Sequence, residues 1–408
     1  MAKNDFIVGL DIGTTKMCAV VGEVNEEGID IIGIGSIPST GLRMGVVVNI
    51  DETIQSIKKA IGDAERMAGH EIKTVYAGIA GNHIRSTNSH GVIAVKGREV
   101  SPRDVERVLD AAKAVAIPQD RELLHTLPQE YVVDDQRGIA NPLGMAGVRL
   151  EVKVHIVTGA VTAVQNVIRS CDRSGLYVAD MVLESLASAK AVLTAEERNI
   201  GVALVDIGGG TTDIAIFIND AIKHTSALPL GGQNITKDIA VILRTPVAAA
   251  ENIKKDYGCV LSELVLPEEY IDVPSSGERG SRRLERKVLV DICEPRMEEI
   301  LTFVNHELVR SGFKNHLGAG IVLTGGTALI QGSQELAEQI FGLPTRVGAP
   351  RNVGGLKDVV NNPKYATAVG LLHYAAEKEG MDHKYQDQDP GAFSRVFSKM
   401  RKWFSDIS

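Results

Sequence analysis

The sequence is sparing with several residue types, and each scarcity narrows what the chain can be. Its 408 residues hold only four cysteines, Cys18, Cys171, Cys259 and Cys293, scattered with no C-x-x-C spacing. That pattern argues against a metal knuckle or redox pair and fits a reducing cytoplasm. Aromatic residues are only 4% of the chain, with a single tryptophan. No apolar run approaches the length of a membrane span, and the opening residues lead straight into a strand pattern, so no signal peptide is expected. Positive charge is not in excess: the formal net charge is −8, which speaks against general nucleic-acid binding. No G-x-x-x-x-G-K-[ST] loop is present, nor a G-x-G-x-x-G opening a helix after a strand, so neither a P-loop nor a simple dinucleotide fold is indicated.

What is present is a glycine-rich turn between two buried strands. Val202 to Val205 and Ile214 to Ile218 are apolar runs, and Asp206-Ile207-Gly208-Gly209-Gly210-Thr211-Thr212-Asp213 joins them. Three consecutive glycines allow positive φ and close approach of backbone to a ligand. Their amides form an anion cradle, with the Thr211 and Thr212 hydroxyls as added donors. The flanking carboxylates Asp206 and Asp213 suit a divalent metal beside a phosphate. Many glycine-rich hairpins bind nothing, but this one has a partner. Asp11-Ile12-Gly13-Thr14-Thr15-Lys16, between Phe6–Leu10 and Met17–Val21, repeats the Asp-Ile-Gly start and the Thr-Thr pair about half a chain away. Two related halves facing each other across a cleft would grip a nucleotide from both sides.

The remainder is consistent with such a duplication. Ile29–Gly35 predicts a third strand, Asp51 caps a helix ended by Gly69, and Thr74–Ala80 predicts a closing strand. From about Ile84 to Thr158 the pattern changes to a compact α+β insertion. Ser101-Pro102-Arg103-Asp104 is a capping box, and Val148 to Ile156 alternates as a half-buried strand. His125 and His155 are isolated and not expected to be ligands. Residues 275 to 287 are a basic Gly/Ser-containing stretch, read as a solvated loop or as a seat for an acidic partner, with a helix beginning after Pro295. Ile321–Thr324 runs into Gly325-Gly326, and a small-residue helix starts at Tyr365.

Paired hairpins with a later Gly-Gly turn resemble the actin-like ATPase superfamily. The resemblance implies an α/β fold of two ribonuclease-H-like domains around a nucleotide cleft. ATP with Mg2+ would lie between Asp11, Gly13, Thr14, Thr15 and Lys16 on one side and Asp206, Gly208, Gly209, Gly210, Thr211 and Thr212 on the other. Asp11 and Asp206 would hold the metal through water. Gly325 and Gly326 would lie against adenosine, with Lys237 and Glu251 near the ribose and adenine; a solvated helix face is the alternative for those two charges. Glu184 sits where relatives carry the carboxylate that orients the attacking water. Those relatives follow it with proline, whereas Ser185 stands here, so a packing role for Glu184 is equally open and any ATPase activity is expected to be weak.

The last 17 residues sharpen the resemblance. Phe393, Val396, Phe397, Met400, Trp403, Phe404 and Ile407 recur at helical steps, with Arg395, Lys399 and Lys402 around them. After the polar stretch Glu377–Gly391, read as a flexible linker, this predicts an interfacial membrane helix rather than a docked one. An actin-like ATPase with an inserted module and such a tail is similar to the FtsA family of division proteins. That similarity implies six parts: a first domain (1–83 and 159–195), an inserted SHS2-like subdomain (84–158), a second domain (196–227 and 305–376), a subdomain 2B (228–304), the linker (377–391) and the membrane helix (392–408). It also implies self-association into filaments, an FtsZ C-terminal peptide bound by 2B, other divisome partners, an anionic lipid surface, and a peripheral place on the cytoplasmic membrane at the division site. A sugar- or acetate-type kinase and a pilus-assembly scaffold are the competing readings; neither has a use for the tail.

Overall fold

The computed structural model describes residues 6–26, 28–115, 117–275 and 280–386. The first half opens with an antiparallel meander, β1 (Phe6–Ile12), β2 (Lys16–Asn25) and β3 (Gly28–Pro38), followed by a two-stranded ribbon, β4 (Leu42–Arg43) and β5 (Val46–Val47). Helix α1 (Ile50–Ala68) and strand β6 (Thr74–Ile79) complete the first pass. The α1 cap is Asn49, whose side chain accepts from the Glu52 amide at 3.2 Å, not Asp51. Asp51 instead places its charge in the first turn, where the helix dipole favours it. The helix lies so close to β3 that a Cβ on Gly35 would fall 1.8 Å from the Ala60 carbonyl.

The insertion contains β7 (Arg85–Ala94), α2 (Pro102–Lys113), β8 (Arg121–Val133), β9 (Gln136–Ile139) and β10 (Arg149–Ala160). Its strands form an antiparallel sheet in the order β7-β10-β8-β9. Alternation along β10 buries Leu150, Val152, Val154 and Ile156 under α2, whereas Val148 precedes the strand and is exposed. The chain then returns through α3 (Val161–Asp172), β11 (Tyr177–Leu183) and α4 (Glu184–Val192).

A short α5 (Ala195–Ile200) leads to the second half, β12 (Val202–Ile207), β13 (Thr212–Ile218) and β14 (Ala221–Leu228). Helices α6 (Gly232–Ile242) and α7 (Val247–Tyr257), the ribbon β15 (Tyr270–Val273) and β16 (Arg282–Glu285), and helix α8 (Arg286–Arg310) follow. The last elements are β17 (Ile321–Thr324), α9 (Ser333–Phe341), β18 (Thr345–Val347), β19 (Val353–Gly355), α10 (Lys357–Val360) and α11 (Ala366–Gln386).

The duplication is visible in strand order. One sheet runs β11-β6-β1-β2-β3-β19 and the other β18-β17-β12-β13-β14, each with an antiparallel meander and a parallel strand beside its first member. Each half is therefore a ribonuclease-H-like unit. The insertion also touches the second half. His155 Nε2 is 2.9 Å from Thr225 Oγ1, and Gln129 Nε2 donates to the Ile222 carbonyl at 2.7 Å, both partners lying on β14.

Two expectations are corrected. Helix α8 does not start after Pro295 but passes through it. Proline inside a helix costs about 3 kcal/mol. Leu289, Ile292 and Cys293 before it share one core with Met297, Ile300 and Leu301 after it, and each large apolar side chain buried contributes about 1.5–3 kcal/mol. Burial wins. The segment expected to be a flexible linker from Glu377 is helical as far as Gln386. The charges at its start are partnered: Lys378 Nζ donates to Asp180 at 2.5 Å, Glu379 accepts from the Tyr76 hydroxyl at 3.0 Å, and Glu377 pairs with Lys190.

Candidate functional site

The first hairpin closes when the Gly13 amide donates to the Lys16 carbonyl at 3.1 Å. Among the described residues the Thr14 and Thr15 amides find no protein acceptor, so they remain available to donate. Lys16 is held from three sides: Asp11 Oδ2 at 2.9 Å, the Lys364 carbonyl at 2.5 Å and the face of Tyr365 at 5.2 Å. Burial alone would lower the Lys16 pKa, but the Asp11 carboxylate outweighs it and the ammonium is held above its ordinary range.

The second hairpin is built from the opposite end. The Gly208 carbonyl accepts from the Gly232 amide at 2.9 Å and from Thr327 Oγ1 at 2.8 Å, and the Gly209 carbonyl accepts from the Gln233 amide at 2.8 Å. The start of α6 therefore pulls the hairpin carbonyls backwards. Among the described residues the Gly209 and Gly210 amides are without protein acceptors and are free to donate. Neither threonine hydroxyl joins them, contrary to expectation. Thr212 Oγ1 donates to the Leu230 carbonyl at 2.9 Å, and Thr211 hydrogen-bonds Asp213.

The two hairpins meet. A Cβ on Gly209 would lie 2.3 Å from Thr15 Oγ1, and one on Gly210 would lie 2.6 Å from Thr14 Oγ1. Close approach, not backbone handedness, explains these glycines, since none of Gly208, Gly209 and Gly210 has a positive φ. The positive φ belongs to Gly325, at 87°, where a Cβ would fall 2.4 Å from Asp206 Oδ1. Gly326 beside it is nearly open, its closest neighbour being Lys364 Cβ at 3.8 Å.

Carboxylates crowd the floor. Asp206 and Asp213 face each other across β12 and β13. Burial pushes the Asp206 carboxyl to about 6, against a hydrogen bond from Ser188 Oγ at 2.7 Å. Asp213 rises to about 7, through burial and then the Asp206 charge. Glu184, the first residue of α4, rests against Gly78 and is raised well above the usual range by burial and by Asp11, Asp213 and Asp206. Among the described residues no three acidic, histidine or cysteine side chains converge closely enough to hold a cation directly. The donor set thus fits a hydrated divalent ion reached through water by Asp11 and Asp206, whose surplus negative charge a cation would relieve.

On α6, Lys237 is exposed, while Glu251 on α7 is drawn into a partly buried contact with Lys254. Lys254 Nζ donates to the Gly232 carbonyl at 3.1 Å, Thr236 Oγ1 at 2.9 Å and Glu251 at 2.7 Å, which ties α7 to the start of α6. Lys254, Ser188 and Thr367 escaped the sequence reading, because nothing in their local pattern marks them. Of the basic stretch, Arg279 lies outside the described residues. Arg286 is engaged internally by Glu269 at 2.7 Å and the Tyr257 carbonyl at 2.9 Å, while Arg283 lies over Tyr270 at 4.5 Å and Lys287 is exposed. His125 and His155 are buried in internal hydrogen bonds, to the Leu183 amide at 2.9 Å and to Asn88 Oδ1 at 2.7 Å. The expected membrane residues Phe393, Arg395, Val396, Phe397, Lys399, Met400, Lys402, Trp403, Phe404 and Ile407 lie outside the described residues.

Comparison with known proteins converges on one family. A family model described as Cell division protein FtsA matches residues 203–370, and one described as the SHS2 domain inserted in FTSA matches residues 81–158. The chain is 54% identical over 405 residues to the cell division protein FtsA of Pseudomonas aeruginosa, covering 97% of each. It is 43% identical over 379 residues to that of Escherichia coli, covering 91% of this chain and 90% of the relative. With the FtsA of Bacillus subtilis it shares 39% over 377 residues, covering 92% and 84%. Solved structures carry the fold more distantly. A PilM-PilN type IV pilus biogenesis complex matches with TM-score 0.65 at 17% identity, covering 90% of this chain and 97% of that one. MreB5 of Spiroplasma citri bound to ADP matches with TM-score 0.55 at 15% identity, covering 92% and 98%. Two ribonuclease-H-like halves, an SHS2 insertion and near-full-length identity to curated relatives settle the matter: the chain belongs to the FtsA family of actin-like cell-division proteins.

Proposed function

We propose that this FtsA-family protein is an ATP-binding adaptor that polymerises and tethers FtsZ filaments to the cytoplasmic membrane. The observation that carries the nucleotide part is the pair of facing hairpins, each with two amides that lack protein acceptors among the described residues. Thr14, Thr15, Gly209 and Gly210 would donate to phosphate oxygens from both sides, and Lys16 would neutralise their charge. Asp11 and Asp206 would orient a hydrated Mg2+, which supplies charge compensation to the phosphates. Gly325 and Gly326 leave room for the nucleoside, with Glu251 and Lys237 towards its ribose and adenine. Glu184 sits at the carboxylate-rich floor with its pKa raised, which favours the protonated form, and a protonated carboxyl cannot take a proton from water; this supports slow turnover and a role for ATP in setting domain closure and filament affinity.

For FtsZ, the supporting feature lies between residues 228 and 304. Arg282 bonds the Leu243 carbonyl, which places the ribbon β15–β16, with Arg282 and Arg283, beside the end of α6. There Val241 and Ile242 are 75% and 59% exposed. An apolar surface rimmed by arginine suits an acidic, apolar peptide. For the membrane, the support is the basic amphipathic pattern of residues 392–408.

Two measurements test the reading. Asp206→Ala should abolish ATP binding in a titration, and an unchanged affinity would remove the cleft assignment. Sedimentation with anionic liposomes should pellet the full chain but not one ending at Gly391. If both stay in solution, the tail is no anchor, and phosphate transfer to a panel of sugars becomes the next assay.

A further inference from the structure

Beneath the cleft, a buried polar cluster lies where both connections between the halves cross. Helix α4 carries the chain from the first half to the second, and α11 carries it back. They pack so tightly that a Cβ on Gly370 would fall 1.9 Å from the Ala187 carbonyl. Beside this crossing, Ser188 Oγ donates to Asp206 Oδ2 at 2.7 Å. Thr367 Oγ1 stands 3.0 Å from Ser188 Oγ and 3.4 Å from Asp206 Oδ2. All three side chains are buried, with Ser188 fully so.

The proton inventory orders these contacts. A serine hydroxyl has one proton, and an ionised aspartate can only accept. With the Ser188 proton on Asp206, the threonine proton goes to the serine oxygen at 3.0 Å or, over the longer 3.4 Å contact, straight to Asp206 Oδ2. The result is a relay from Thr367 to Asp206, through Ser188 or directly, running from α11 and α4 into the second half. It occupies Oδ2 and leaves Oδ1, beside Gly325, as the oxygen available to the cleft. Ser188 is also one turn beyond Glu184 on α4, so the two share a helix face.

We propose that Ser188 and Thr367 are positioning residues for the metal. They fix Asp206 so that Oδ1 meets a hydrated cation, and they tie that cation to the crossing of α4 and α11. This rests on the Mg-nucleotide reading of the cleft. Partners behind a metal-orienting carboxylate commonly change metal affinity about 10–100-fold when removed. Because the relay acts on one oxygen, the two deletions should be non-additive.

The test is retention of ATP by the full-length protein in equilibrium dialysis, with and without Mg2+ and across a Mg2+ titration. Ser188→Ala and Thr367→Val each remove a relay proton, whereas Thr367→Ser keeps it. The expected result is a Mg2+ midpoint raised about tenfold or more in Ser188→Ala and less in Thr367→Val, a double variant that loses less than the two single losses combined, and Thr367→Ser close to wild type. ATP affinity without Mg2+ should stay within about twofold, which a general loss of structure would not allow. Unchanged Mg2+ midpoints in both deletions overturn the proposal, as does an equal loss with and without Mg2+. Should Ser188→Ala fail to fold, the contrast of Thr367→Val with Thr367→Ser decides alone. If wild type itself retains no ATP, or retains it equally at every Mg2+ concentration, the cleft reading fails instead.

Discussion

The facing pair Asp206 and Asp213 makes a quantitative prediction about the protein without nucleotide. The Asp213 carboxyl is pushed from an ordinary 3.8 to about 7, first by burial and then by the Asp206 charge. Roughly three pH units correspond to about 4 kcal/mol against folding, at about 1.36 kcal/mol per unit. Because the folded value is the higher one, that cost is complete above about pH 7. It shrinks as pH falls and is nearly gone by about pH 4, where the unfolded aspartate also takes up its proton. Asp213→Asn removes the charge, keeps an acceptor for Thr211 and can donate to Asp206. The buried amide has its own desolvation cost, so about half the gain should survive. Urea unfolding of the full chain should find the variant about 2 kcal/mol more stable than wild type at pH 8, with less than half that gap at pH 5. A gap of the same size at both pH values, or a loss at pH 8, would refute the reasoning. Mg2+ should stabilise wild type more than the variant, since a cation relieves the same repulsion.

Other consequences can be checked directly. Gly370→Ala drives a methyl into the Ala187 carbonyl and should cost about 1–3 kcal/mol, read as a lower Tm. Lys254→Ala removes one of the two lysines paired with Glu251, Lys255 remaining at 3.3 Å, and releases the Gly232 carbonyl. It should cost about 1–3 kcal/mol and weaken ATP binding in the same titration. His155→Ala strips Thr225 and Asn88 of a buried partner and should cost about 1–3 kcal/mol, with faster amide exchange along β14 and β7 as the specific sign.

Much of this architecture can be read from the residues, for a definite reason. A phosphate hairpin is a local object: strand, glycine turn and strand are contiguous, so Asp11–Lys16 and Asp206–Asp213 announce themselves, and their repetition predicts the matching sheets. The insertion is legible for the same reason, through the Ser101 capping box and the alternation along β10. What escapes is tertiary. Ser188 and Thr367 are ordinary helix residues until α4 and α11 cross, and Lys254 reads as surface charge until α7 packs on α6. The hydroxyls of Thr211 and Thr212 look like phosphate donors in sequence, but Asp213 and the Leu230 carbonyl claim them. Pro295 and the polar residues after Glu377 look like breaks because local propensity sees neither a shared core nor Asp180, Tyr76 and Lys190 waiting across space.

Those last contacts decide how the molecule bears load. Any tension applied beyond Gln386 travels down α11 and first meets the first half in polar contacts at Asp180 on β11, which takes both Lys378 and the Tyr374 hydroxyl, at Tyr76 on β6, and at Lys190 on α4. Strands β11 and β6 are hydrogen-bonded neighbours, so the pull spreads across a sheet instead of falling on one strand. Only past these fastenings does α11 reach the crossing with α4 and the floor of the cleft. The helix is thus moored before it becomes a hinge, and a tug at its end strains the first half ahead of the cleft.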